Sequence, residues 1–316
     1  MLIGITWNFN EPEECAWAED LHPQITKVGW DPASMPVSWG RGFARNLRDR
    51  YDCETVLDLR TENVQEFVER AGAHGGGVYD WWIEWVRAIV EETAGEVRYW
   101  EVWGEAGCPY LAGAWLDAEV ADPHRDTNYA ELLTITHEVI KSVDPEALVL
   151  IGGNTVDTHK RYYERVAAAT GGRAHDWNCT HPFCFKRVWE DVETEYNAFF
   201  DTLAAIDARH GVAHPLCMTE FGWPTHPGGD FRTREDLQSF VYDRVLTCSE
   251  AEAADWTRRC FDLFRERDVR FCVVVGMKDV GRGSHWGSRL GVRCHDGTPK
   301  PMWFVLKEEI AQARAS

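Results

Sequence analysis

Short apolar runs alternate with longer amphipathic stretches from one end of the chain to the other. Eight runs read as strands: Leu2–Trp7, Ile25–Trp30, Glu54–Leu59, Val97–Trp103, Ala147–Gly152, Asp176–His181, Pro215–Phe221 and Val269–Val275. Helical patterns fall between them, among them Tyr79–Thr93, Asn128–Val143, Val192–His210 and Glu250–Arg267. In the first of these, Trp82, Trp85, Val86, Ile89 and Val90 recur at helical spacing and make one apolar face. Leu132, Ile135, Val139 and Val143 do the same in the second. Asp126 or Thr127 is placed to cap the helix that starts near Asn128, and Asp144-Pro145 to stop it. Ser249 with Glu252 three residues on has the form of a capping box for the helix near Glu250.

Strands separated by helices imply parallel pairing, because a parallel crossover needs a long connection. Eight such repeats predict an α/β protein, a (β/α)8 TIM barrel forming a single domain over residues 1–316. The rival is a doubly wound open sheet, which calls for a phosphate-binding glycine turn after an early strand. Here the first strand runs into ITWNFNEPEE, which is no such turn. Gly72–Gly77 and Gly281–Gly287 are short and glycine-rich, and both read as loops rather than linkers.

Composition narrows the partners. An apolar fraction of 44% supports a sizeable core and argues against disorder. No uninterrupted apolar run approaches the roughly 18 residues of a membrane span, so no membrane partner is expected. Met1–Phe9 lacks a basic region and reads as a first strand, not a signal peptide. A cytoplasmic location is therefore expected, with export or particle association by a route without a recognisable signal as the alternative. A net charge of −19 repels nucleic-acid backbones and suits an uncharged or cationic ligand better than a polyanion. The ten cysteines show no CxxC pair and no zinc spacing with histidine; they read as reduced thiols, and no metal or other cofactor is expected. Cys217 and Cys272 lie inside apolar strands, where a small buried thiol is the ordinary reading.

Two segments carry candidate chemistry: Tyr99–Gly107, YWEVWGEAG, and Met218–Thr225, MTEFGWPT. Each is an aromatic-rich strand that ends in a glutamate, Glu105 or Glu220. A carboxylate at the end of an apolar strand is costly unless it is paired or used. In a barrel of this kind the carboxyl ends of the strands surround one pocket, so residues far apart in sequence meet there. Retaining sugar hydrolysis needs two carboxyl groups about 5–5.5 Å apart, and these two positions satisfy the topology. Trp7, Trp103, Trp223 and Trp286 lie near strand ends and offer either sugar-stacking faces or core filling. His181 reads either as a donor to substrate or Glu220, or as a structural histidine.

WEVWGEAG resembles the WEVWNEP signature of glycoside hydrolase clan A, and MTEFGWPT resembles that clan's seventh-strand TEFGW signature. NYAELLTITHEVIKSVDPEALVLIGG is similar to the fourth helix and fifth strand of the β-xylosidase and α-iduronidase-like families. DWNCTHPF resembles the sixth-strand segment, and LGVRCHDGTPKPMWFVL the closing one. The likeness runs from about Val97 to the C-terminus; before it only Ile5–Asn8 contributes. It implies a retaining glycosidase acting on an oligo- or polysaccharide, with Glu105 as acid/base, Glu220 as nucleophile, and Trp7, Asn8, Trp103, His181, Phe183, Trp223 and Trp286 around the sugar. Three positions depart from the pattern. Gly104 stands where the clan has an asparagine that touches the sugar 2-hydroxyl, with Asn154 or Asn8 as candidates to substitute. Phe183 replaces a tyrosine, and Gly276-Met277 falls where a stacking tryptophan is common. The departures motivate an alternative reading: a catalytically weakened carbohydrate-binding or structural barrel, possible in form as a component of a phage or injection particle. Nothing in the chain carries a nucleotide- or metal-dependent motif.

Overall fold

All eight predicted strands form, six of them trimmed by one to three residues. In this computed structural model, which describes residues 1–61, 64–106, 123–184, 186, 188–225, 248–280 and 289–315, they are β1 (Leu2–Ile5), β2 (Ile25–Trp30), β3 (Glu54–Leu59), β4 (Tyr99–Val102), β5 (Leu148–Ile151), β6 (Asn178–Thr180), β7 (Leu216–Phe221) and β8 (Phe271–Val274). The helices are α1 (Pro12–Leu21), α2 (Gly40–Tyr51), α3 (Val64–His74), α4 (Asp80–Thr93), α5 (Pro123–Val143), α6 (Val156–Thr170), α7 (Trp189–His210), α8 (Glu250–Glu266) and α9 (Pro301–Ala315).

Every strand pairing is parallel, in two ladders ordered β1-β8-β7-β6 and β2-β3-β4-β5. Shorter contacts join the ladders. Between β1 and β2, the Gln24 amide donates to Ile3 O at 3.0 Å and the Thr26 hydroxyl to Ile5 O at 2.8 Å. Between β5 and β6, the Ile151 amide donates to Trp177 O at 3.3 Å and the Asp176 amide to Val149 O at 2.8 Å. The strands thus follow one another in cyclic order, as the (β/α)8 barrel predicts. Strands such as Leu148–Ile151 and Phe271–Val274 are apolar along their length because both faces are covered, by barrel interior and by helices.

The helices follow their sequence signals with instructive exceptions. Trp81, Trp82, Val86, Ile89, Val90 and Thr93 are the buried residues of α4, the expected Trp85 is half-buried, and the Trp82 indole N–H donates to the Thr136 hydroxyl of α5 at 2.8 Å. The capping box of α8 forms in both directions, Glu252 N–H to Ser249 Oγ and Ser249 N–H to the Glu252 carboxylate. α5 begins a turn earlier than expected, at Pro123, so Asp126 and Thr127 lie inside the helix instead of capping it. Proline suits a first helical position because its fixed φ is preorganised and its missing N–H would have no partner there. α3 extends to His74, so only the Gly75–Gly77 part of the expected glycine loop lies beyond a helix. The other glycine loop, Gly281–Gly287, lies outside the described residues. Cys217 and Cys272 are buried in their strands, and no described helix is long and apolar enough to cross a membrane.

The carboxyl end of the barrel departs from the apolar rule. Lys27 of β2, Asp58 of β3, Glu101 of β4 and Thr219 of β7 are all buried there, and they form the floor of the candidate site.

Candidate active site

Glu105 and Glu220 reach the same place by different local devices. β7 slips register against β8: Met218 pairs with Cys272 but Phe221 with Val274, so three steps on one strand answer two on the other. Neighbouring residues of a regular strand face opposite sides, and a bulge relaxes that rule. As a result Thr219 and Glu220 both turn inward, Thr219 Oγ1 to 3.0 Å from His181 Nε2 and Glu220 Oε2 to 3.7 Å from His181 Nδ1. After β4 the chain takes left-handed conformations at Trp103 (φ 59°) and Glu105 (φ 61°), on either side of Gly104. Such values in non-glycine residues cost about 1–3 kcal/mol each and persist only where the surroundings enforce them. The Glu105 amide is tied to Gly153 O at 2.6 Å, and the Gly104 amide to Asp58 Oδ1 at 2.8 Å.

The two glutamates meet around His181. Its Nδ1 lies 3.2 Å from Glu105 Oε1, and one oxygen of Glu105, one of Glu220 and the ring nitrogen all fall within 4.8 Å of one another. Both carboxylates keep an opening to solvent, with side chains 23% and 25% exposed. Gly153 makes room for the imidazole, since a Cβ there would lie 2.2 Å from His181 Cδ2.

Beneath them lies a buried charge cluster. The Lys27 ammonium is 2.9 Å from Glu220 Oε1, 3.0 Å from Glu101 Oε2 and 3.2 Å from Asp58 Oδ2, with its side chain 6% exposed. It donates a hydrogen bond to Glu220 and is ion-paired with Glu101 and Asp58, so three carboxylates surround one buried cation. Glu101 Oε1 also accepts from the Gly153 amide at 2.8 Å and faces His181 Nε2 at 3.2 Å. Burial would raise the Glu220 carboxyl, but His181 and Lys27 outweigh it and hold it below the usual carboxylate range. Glu101 is held low in the same way, against burial, by Lys27 and His181. Burial also opposes a charged His181, as does Lys27; Glu220 and the hydrogen bonds to Glu101 and Glu105 prevail and raise it to about 10. His181 is therefore an imidazolium at neutral pH, donating from both nitrogens. The 3.3 Å approach of Lys27 Nζ to its Nε2 is then a contact of like charges held by the carboxylates around them.

Two trios have the spacing of metal ligands, Glu105–His181–Glu220 and Glu101–Cys179–His181. Both share His181, and the Lys27 ammonium already provides a cation to Glu101 and Glu220. Above the cluster, Arg60 follows β3 with its side chain 42% exposed and 3.9 Å from Asp58 Oδ2. Asp58, and behind it Glu220, Glu101 and Glu105, raise the Arg60 pKa, so its charge is felt at both candidate catalytic groups.

The remaining predicted residues divide. The Trp7 ring is buried against Phe9 and Tyr51, at centroid distances of 4.7 and 5.3 Å. Trp103 is buried beside Phe67 and Trp82, and Trp223 beside Phe221 and Trp256. These three tryptophans occupy core positions, where neighbouring rings cover the faces expected to stack on sugar. Asn8 is exposed, and its side-chain oxygen accepts from the Asn10 amide at 3.0 Å. Asn154 is buried, its amide donating to Gly152 O. Phe183 is buried next to the His181 segment, its amide donating to His181 O at 2.7 Å. Trp286 lies outside the described residues.

No protein-family model matches this sequence, and no curated protein matches it either. Solved structures do. A family 39 glycoside hydrolase from Bacteroides cellulosilyticus WH2 superposes with a TM-score of 0.66 at 12% identity, over 98% of this chain and 63% of its own. A β-glucuronidase from Bifidobacterium dentium, complexed with coumarin-3-O-glucuronide, gives 0.63 at 14% identity, over 98% and 46%. The β-glucuronidase of Ruminococcus gnavus in complex with D-glucuronic acid gives 0.60 at 13%, over 98% and 49%. The fold is that of these glycosidases. The chain spans less than two thirds of the length of each of them.

Lys27, Asp58, Glu101 and Arg60 are absent from the residues singled out by sequence. The signal was present: ITKVGW, ETVLDL and YWEV each carry a charge inside an apolar run, with Glu54 of ETVLDL standing outside at the strand's start, the same anomaly that marked Glu105 and Glu220.

The His181 charge has a consequence for stability. A raised native pKa stabilises the fold fully below the ordinary value of 6.5, and that contribution fades as pH climbs toward 10. Chemical denaturation across this window should show the parent losing on the order of a few kcal/mol that His181→Gln does not lose. Parallel curves for the two proteins would contradict a charged His181.

Proposed function

We propose that this chain is a retaining glycoside hydrolase, with Glu220 as nucleophile and Glu105 as acid/base. The observation that carries the reading is the separation of the two carboxylates, whose facing oxygens lie within 4.8 Å. Retaining pairs sit about 5–5.5 Å apart, whereas inverting pairs leave about 6.5–9.5 Å for an intervening water. The cluster beneath supports the assignment of roles. Lys27 and His181 keep Glu220 ionised, which a nucleophile requires.

In this reading Glu105 gives its proton to the glycosidic oxygen while Glu220 attacks the anomeric carbon. The bond to the leaving alcohol breaks and a glycosyl ester forms on Glu220. Glu105, now a carboxylate, takes a proton from water; the water oxygen bonds to the anomeric carbon and Glu220 leaves with its electron pair. Lys27 occupies Oε1 of Glu220, so Oε2 is the oxygen left for the sugar.

Glu220→Ala should lower turnover of aryl glycosides by several orders of magnitude. Glu105→Ala should spare substrates with activated leaving groups and lose the others, and azide should restore part of its rate by replacing water. Parental rates in both variants, on both kinds of substrate, would overturn the roles. Sugar binding with no hydrolysis of a broad glycoside panel would instead favour a non-catalytic barrel.

Arg60 favours an acidic sugar. Its guanidinium makes no hydrogen bond among the described residues, its side chain is 42% exposed, and it carries the planar fork that matches a carboxylate. The chain's overall negative charge argues against polyanions but leaves room for one local carboxylate. Aryl glucuronides should be cleaved over the matching glucosides by about tenfold or more, since a charge-assisted pair is worth about 1.5–3 kcal/mol, and Arg60→Ala should erase the preference. Equal selectivity in parent and variant would remove the acidic sugar from the reading.

A further inference from the structure

The segment WGEAG carries a glycine where the resembling signature carries an asparagine, and the structure gives a reason. A Cβ on Gly104 would lie 2.7 Å from Asp58 Oδ2, 2.9 Å from Lys27 Nζ and 3.2 Å from Glu101 Oε1. None of these atoms is free to retreat. Asp58 and Glu101 are fully buried, Lys27 nearly so, and the ammonium is bound to both carboxylates and to Glu220. The backbone is fixed as well, because the Gly104 amide donates to Asp58 Oδ1 and the flanking residues hold left-handed conformations. The space that a side chain at position 104 would need is filled by the Asp58 carboxylate together with the amino group delivered from β2, which holds that carboxylate in place.

We propose that Lys27 and Gly104 form an exclusive pair, in which Lys27 is the positioning residue for Glu220 and the missing side chain at 104 is what admits it. The catalytic half of this inference rests on the function proposed above; the steric half stands without it. Lys27 positions by fixing Oε1 at 2.9 Å and by supplying the charge that keeps the carboxylate ionised. The ammonium is buried beneath Glu220 and enclosed by three carboxylates, so it acts through Glu220 rather than on substrate. The same barrel accommodates an ammonium from β2 or a side chain at 104, and the two compete for one volume.

A double-mutant cycle tests this: the parent, Gly104→Asn, Lys27→Met, and the two changes combined, each followed by thermal melting and by the pH profile of kcat/KM on the aryl glycoside that the parent cleaves best. Each single change should lower the melting midpoint. The combined variant should melt well above the sum of the two losses, because the methionine removes the cation that collides with the asparagine, and the amide can then donate to Asp58 or Glu101. On activity, Lys27→Met should move the acid limb upward by about one pH unit or more, as Glu220 loses its neighbouring charge. It should also lower kcat on the order of 100-fold, the effect of a misplaced reacting group. Adding Gly104→Asn to Lys27→Met should recover part of that loss, whereas in the parent background it should only harm. Gly104→Ala, which adds a single methyl, keeps the cycle readable if an asparagine or methionine variant does not fold. Additive melting losses would overturn the exclusive pair, and an acid limb unmoved by Lys27→Met would overturn the positioning role. If the parent cleaves no glycoside, the function proposed above fails while melting still decides the pair.

Discussion

A lysine ammonium with its side chain 6% exposed has lost almost all of its water, and that loss is tolerated only when opposite charge surrounds it. Asp58, Glu101 and Glu220, drawn from β3, β4 and β7, supply that charge, and the ammonium comes from β2. Four of the eight strands are thereby held in one relative position at their carboxyl ends. Removing one member of such a cluster commonly costs about 3–5 kcal/mol, because the others are left buried and uncompensated. The enforced conformations at Trp103 and Glu105 follow from the same constraint, since the peptide between them is bound to Asp58 and abuts Lys27.

The cluster also explains how a chain that departs from the glycosidase pattern keeps an ordered site. Gly104 lacks the amide of the usual asparagine, yet its position lies against the ammonium that holds Glu220. Phe183 has no hydroxyl for Glu220, but His181 approaches the same carboxylate from the end of β6 and Lys27 from below. The work of orienting the carboxylate has moved from neutral donors to two cations. Such a site depends more on charge balance than on any one hydrogen bond, and Arg60 at its rim belongs to that balance.

Much of this was legible in the sequence. Buried parallel strands announce themselves as apolar runs, which is why all eight were found and why Glu105 and Glu220 stood out at the ends of two of them. Lys27, Asp58 and Glu101 were harder, because each is an isolated charge among apolar neighbours and its partners are distant in sequence. Only the cyclic order of the strands brings them together. The bulge in β7 leaves no pattern in LCMTEF, yet it is what turns Thr219 and Glu220 to the same side. Tryptophan left two readings open for a different reason: in a chain with 16 of them, proximity to a strand end does not distinguish a platform from a core ring. Trp7, Trp103 and Trp223 are core rings. The helix start at Pro123 shows a smaller lesson, that a proline at the first turn outranks a capping side chain further on.

In the proposed function Glu220, held ionised over the Lys27 ammonium, is the group that bonds to sugar. Incubation with a library of 2-deoxy-2-fluoro glycosyl fluorides, followed by intact-mass measurement and peptide mapping, tests it most directly, because the fluorine slows release of the glycosyl ester and leaves it attached. A single adduct on the peptide that contains Glu220 is the predicted result. An adduct on Glu105, on Glu101 or on any other residue, or fluoride release with no protein adduct at any time, would contradict the account.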